Sequence, residues 1–198
     1  GVTLSTEQLD WARQRLQGFG SAADLRLQAM IRSLAEVILP AIPADQKLAQ
    51  DQGAILLGNL RMLADQQDRA FDFAMAELRE HMALIRRLTE SAKGGPATAA
   101  AVAAAHALAQ EAAPVAALPC PTQAELTKLA GRAKACAEDL VDAAYNDGSE
   151  ALRTVAATAV MAQAERQIER ERAWTRAAGF DPQAATLDLD AILARPGL

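Results

Sequence analysis

Glu77 and His81 stand four residues apart, so a helix through them presents both on one face, with Glu80 beside the imidazole. Helical bundles hold di-metal centres with Glu-x-x-His motifs on two helices and two further carboxylates. The spacing here is one residue too long, and His106, the other histidine, has no acidic residue in the three positions before it. The di-metal pattern therefore fails. A mononuclear site remains conceivable, with Glu77, His81 and a carboxylate from another helix as ligands. The plainer reading is a partly exposed histidine beside a solvated glutamate; it is preferred, and no cofactor is expected.

Other reactive residues are more scattered. Cys120 lies in a proline-rich stretch and follows His106 by about four helical turns, with nothing in the pattern to bring thiol and base together. Cys136 falls on an apolar helical stripe and reads as a buried free thiol. Gly94-Gly95 is followed by proline rather than by Lys-Ser/Thr, so it is no phosphate cradle. Catalytic residues are not expected, and the balance leans away from an enzyme.

Two stripes carry the remaining functional readings. Arg166, Arg170, Arg172 and Arg176 alternate with Glu165, Glu169 and Glu171, which reads as a solvated face laced with ion pairs such as Glu169 with Arg172. Trp174 at its end is an interface candidate, because aromatic and arginine side chains are enriched at binding hot spots. Packing is nevertheless favoured for Trp174 and Trp11. Met62, Phe71, Met75 and Met82 form a soft apolar row. Such a row suits an acyl chain, a partner helix or plain core; Phe71, Met75 and Met82 join Trp174 as interface candidates.

The elements that position these residues follow from composition and punctuation. Half of the 198 residues are apolar (51%), but alanine dominates and aromatics make up only 4%. Alanine is the best helix former, and strands need β-branched and aromatic residues. An all-α fold follows: a bundle of five to seven helices, with one long, kinked helix. Abundant alanine also predicts close helix approach and shallow grooves. Ser5-Thr-Glu-Gln8 opens a first helix bearing Leu9, Trp11 and Leu16 that ends at Gly18-Phe-Gly20, and Ser21 caps a second. Leu27, Met30, Ile31, Leu34, Val37 and Ile38 give that second helix one buried face, and Pro40 and Pro43 stop it. From Asp45 to Lys93 there is no proline, and Leu48, Ile55 and Met62, then Phe71, Leu78 and Ile85, recur by sevens. One straight helix there would be roughly 70 Å long, too long for a compact domain of this size, so a kink or turn is expected within 53–69.

Gly94-Gly95-Pro96 ends that segment. An alanine-rich helix and a loop with Pro114, Pro119 and Pro121 follow. Thr122-Gln-Ala-Glu125 is a capping box opening a helix with Leu126, Leu129, Ala133, Cys136 and Leu140 on one face. Asn146-Asp147-Gly148 ends it, Ser149 caps the next, Gly179 closes that one, and a short helix spans Leu187 to Ala194 after Asp181-Pro182. One helical domain over 1–198 is expected, with a sub-boundary possible at 114–121.

The net charge of −5 is mild and interleaved, which gives no basic face for nucleic acid. The alanine-rich stretch 97–113 is too short and too polar to span a bilayer, which takes ~20 apolar residues. Gly1 is no natural initiator, so a tag remnant or a trimmed start is expected. With no signal pattern and no disulfide framework, a cytoplasmic protein is expected, without nucleic-acid or membrane partners.

Ile38-Leu-Pro-Ala-Ile-Pro43 followed by Ala54-Ile-Leu-Leu-Gly-Asn-Leu60 resembles a family of small helical bacterial proteins of unknown function. Its genes often lie beside those of aminoglycoside-phosphotransferase-like kinases and acyl-CoA dehydrogenases. The likeness covers about residues 34–63, and the C-terminal half departs from the family's pattern. It implies an accessory role in bacterial metabolism and carries over no functional residue. Two functional readings stand. The first is a non-enzymatic interaction or scaffold protein, a homodimer or other homo-oligomer, with a further protein partner possible. The alternative is a bundle, enzyme or not, that binds a small molecule or metal near Glu77 and His81 or along the methionine row.

Overall fold

The alanine-rich, β-poor composition resolves into helices alone. A computed structural model describes residues 22–116 and 121–197, and contains no strand among them. Six long helices form: α1 (Ala22–Ser33), α2 (Lys47–Gln66), α3 (Ala70–Glu90), α4 (Pro96–Ala116), α5 (Gln123–Asn146) and α6 (Glu150–Trp174), with a short α7 (Leu189–Leu193). The first capping box, Trp11, Ser21 and Cys120 lie outside the described residues. The chain divides into two packed units. One holds the described residues up to Gln67, with Ala177–Gly179; the other holds Asp68–Arg176 and the described residues from Phe180 onward. The division falls inside the 3-10 turn Gln67–Arg69, which breaks the long proline-free segment within the expected 53–69 window. Gly53 and Gly58, by contrast, sit inside an unbroken α2.

In the first unit α1 and α2 form a hairpin. Pro40 does not stop the first of these helices as expected; the helix ends at Ala41, with Ile42 extended just before Pro43. A π-helical turn, Leu34–Ile38, carries it into a further turn, Leu39–Ala41, that includes Pro40. The wider turn shifts the hydrogen-bond ladder just ahead of the ring that cannot donate. Gln50 closes the hairpin's turn by donating Nε2 to the carbonyls of Ile42 and Pro43, both at 3.3 Å. Gln67 closes the open end by donating to Asp24 Oδ1 at 3.1 Å.

In the second unit α5 is the central helix, packed on α3 and α4 and more lightly on α6. Its capping box forms as the sequence requires: Glu125 N donates to Thr122 Oγ1 at 3.2 Å, and Thr122 N to Glu125 Oε2 at 2.9 Å. Leu126, Leu129, Ala133 and Leu140 then point inward against Leu78, Leu88, Leu108 and Leu152. Cys136 is a free, partly buried thiol, raised above its ordinary pKa by burial and then by Asp139. Pro114 lies within the last turn of α4 rather than in a loop, where it removes one backbone donor and leaves most of the helix's ladder intact.

The two glycine turns are stitched together. Ser149 N donates to Lys93 O at 2.7 Å and Gly95 N to Asp147 O at 3.1 Å. Asp147, at the end of α5, caps α4: Oδ2 accepts from Ala97 N at 2.7 Å and Oδ1 from Thr98 N at 2.9 Å. Its pKa is lowered, chiefly by the Thr98 hydroxyl. Gly148 is needed at this junction, since a Cβ there would meet the Ala144 carbonyl oxygen at 2.5 Å and Cα at 2.7 Å. Farther on, Ser149 caps α6 through Leu152 N, and Gly179 takes φ +80° after it. Asp188 caps α7, whose helical span is shorter than the expected 187–194.

Candidate functional site

The hairpin of the first unit departs most from the expected burial. Of the apolar face foreseen on α1 and its extension, only Leu34 is buried, while Met30, Val37 and Ile38 are 48%, 65% and 49% exposed. On α2 the exposed large side chains are Leu48, Ile55, Leu56 and Leu63. Their spacing of 0, 7, 8 and 15 places them on one stripe, about 22 Å long. Packing α1 on α2 does not cover this face of α2.

The second unit buries the charges that the sequence assigns to solvent. Glu80, His81, Gln163 and Arg170 are all buried, Arg170 at 1% exposure. The Glu80 carboxylate accepts from Arg170 Nη1, from Arg166 Nε at 3.1 Å and from Gln163 Nε2 at 3.4 Å. Arg170 also faces Glu77 Oε1 at 3.9 Å and lies 5.6 Å over the Phe73 ring. The Arg/Glu run of α6 is therefore not one solvated face. Arg166 and Arg170 turn inward to Glu80, Glu169 pairs with Arg195 rather than Arg172, and Arg172 pairs with Asp181 at 2.8 Å. The sequence signal is equivocal because alternating charges look the same on a wet face and on a buried one. What decides is Glu80, ninety residues away.

His81 is buried rather than partly exposed. Its Nδ1 lies 2.8 Å from the Glu77 carbonyl oxygen, and burial pushes its pKa below the ordinary value despite the neighbouring glutamates. Glu77 and His81 do share a region, but the Glu77 carboxylate is turned to Arg170. Among the described residues no three His, Cys, Asp or Glu side chains gather as a metal would need.

The same charges hold down the C-terminal strap. Arg166 Nη2 donates to Pro196 O at 2.5 Å, Arg79 Nη2 to Leu193 O at 2.5 Å, and Arg195 Nη2 to Glu169 Oε1 at 3.2 Å. Glu169 is held below the usual carboxylate range by Arg195. Trp174 belongs to this packing: its ring lies 4.3 Å from Phe73, beside Ala76, Leu189 and Leu193. Gly197 presses on α3, where a Cβ would come within 2.6 Å of Ala83 Cβ.

Pinned there, Pro196 and Gly197 wall a groove of about 760 Å³ between α3 and α4. Met75, Leu78, Met82 and Ile85 supply one side, and Ala105, Ala109 and Ala112 the other. Shallow grooves were expected from so much alanine. The space exists because α3 and α4 both pack on α5 and touch each other sparsely, so the short alanine side chains do not bridge the gap. Met75 and Met82 thus line a groove. Phe71 is 40% exposed, and Met62 belongs to the other unit.

Comparison with protein families, with curated proteins and with solved structures finds no match. Among the described residues no helix is long and apolar enough to cross a membrane.

Proposed function

We propose that the protein is a non-enzymatic helical interaction protein that self-associates, its 22–67 hairpin packing on the same hairpin of a second copy. The observation that carries this is the α2 stripe, with Leu48 75%, Ile55 44%, Leu56 52% and Leu63 50% exposed. Monomers seldom leave contiguous apolar patches of this kind in water. Leu48 and Ile55, like Leu56 and Leu63, repeat by seven, the period of a helix–helix seam. A two-fold axis makes such a stripe its own partner, turning two hairpins into four packed helices. Charge permits it: residues 22–67 carry five acidic and four basic side chains, so each hairpin is nearly neutral and two copies meet with little net repulsion. A cytoplasmic, reducing setting belongs to this proposal, with the free Cys136 thiol in its support.

Sedimentation velocity over a wide concentration range tests it. Twice the chain mass is expected at micromolar concentration, shifting to the single-chain mass in Leu48→Glu and Leu56→Glu with helicity unchanged. A single-chain mass at all concentrations overturns the proposal. Protection of α2 amides from hydrogen exchange in that monomer would assign the stripe to residues 1–21 of the same chain instead.

A further inference from the structure

The α3–α4 groove has a composition that selects its own class of ligand. Its volume lies in the ~300–1,000 Å³ range of small-molecule sites. Along α3 it runs from Met75 to Thr89, fourteen residues, or about 21 Å. That is a trough, long and narrow enough for one extended alkyl chain. Methionine side chains on its wall adapt to a flexible apolar guest.

Its charged side chains are of one sign. Arg79, Arg86 and His106 line it, with Thr89, and among the described residues no carboxylate does. Because α3 and α4 are joined by a short turn, they run antiparallel. Met75 and Leu78 therefore face Ala112 and Ala113 at one end, with Arg79 beside them, while Arg86 and Thr89 mark the other. Arg86 is exposed and makes no ion pair among the described residues. Arg79 is partly buried beneath the strap, and its Nε has no hydrogen-bond partner. An alkyl chain without a charge would leave Arg86 unanswered, and an alkyl cation would be repelled; Arg79 already donates Nη2 to Leu193 O. A negatively charged head on a single chain satisfies both parts of the groove.

We propose that this groove binds a free long-chain aliphatic carboxylate, its chain along Met75, Leu78 and Met82 and its carboxylate at Arg86, within reach of His106. This binding is independent of self-association, since every residue of the groove belongs to the second unit.

Isothermal titration calorimetry with dodecanoate, below its micellar concentration, tests it on the full chain. One molecule per chain is expected. Dodecanol and dodecyltrimethylammonium should bind at least about tenfold more weakly, the scale of a charge-assisted hydrogen bond. Arg86→Glu, at an exposed position, should weaken dodecanoate by a similar factor or more while leaving thermal unfolding unchanged. Ala109→Trp should fill the trough and weaken carboxylate and alcohol alike. Absence of saturable dodecanoate binding overturns the proposal. So does equal affinity for the three head groups, or full affinity in both variants.

Discussion

Removing the Glu80 carboxylate should be among the most damaging single changes available in the second unit. Glu80→Ala takes away the acceptor of Arg170 Nη1, Arg166 Nε and Gln163 Nε2. Arg166 keeps some access to solvent and the Pro196 carbonyl, so it tolerates the loss. Arg170 does not: it is 1% exposed, and its remaining carboxylate, Glu77, stands 3.9 Å away. Breaking a buried pair from one side costs about 3–5 kcal/mol, because the surviving charge is left dry and unanswered. Against a total stability of about 5–15 kcal/mol, that is a large share, and lowers Tm by roughly 10 °C. Removing both charges is a different experiment. Glu80→Leu with Arg170→Met replaces the pair by apolar groups of similar bulk and should recover most of the loss. Urea titration in a Trp11→Phe background isolates this unit, since Trp174 stacks on Phe73, over which Arg170 lies. A Glu80→Ala loss below about 1 kcal/mol would refute the reasoning, as would a double variant no more stable than the single.

Protonation and backbone crowding give two more expectations. The folded pKa of His81 lies below its ordinary 6.5, so the unfolded chain takes up the proton first and stability falls as pH drops below about 6.5 toward the folded value. Urea midpoints at pH 7.5 and 5.5 should therefore separate more in the wild type than in His81→Gln, and equal separation would contradict the assignment. Gly148→Ala drives a Cβ to 2.5 Å from the Ala144 carbonyl oxygen, a backbone atom that cannot swing aside. It should cost about 1–3 kcal/mol by thermal denaturation, whereas Gly131→Ala, with open space at its Cβ, should stabilise α5.

The helical class was legible because it rests on local chemistry. Alanine's propensity, the Thr122–Glu125 capping box, Ser149, the Gly94-Gly95-Pro96 break and the Asn146-Asp147-Gly148 break act within a few residues, and each appears where the pattern puts it. Even the interruption of the long segment is local, set where the apolar stripe thins before Phe71. Local reasoning failed where an outcome depended on what lies opposite. A seven-residue apolar repeat runs through both Leu48–Ile55 and Leu78–Ile85, yet the first is exposed and the second buried, because α5 packs over the second within its own unit. Arg166 and Arg170 look like solvated members of an alternating run until tertiary packing sets Glu80 against them. The groove is likewise no property of α3 or of α4. It is the space left when both lean on α5 and alanine is too short to close it. Sequence by itself determined that these segments are helices and where most of them are capped or broken, since caps, breaks and propensities are short-range, although Pro40 and Pro114 were absorbed into helices they were expected to end. Tertiary structure alone decided which faces are dry, which charges are paired and where a cavity opens, because burial is a relation between segments distant along the chain.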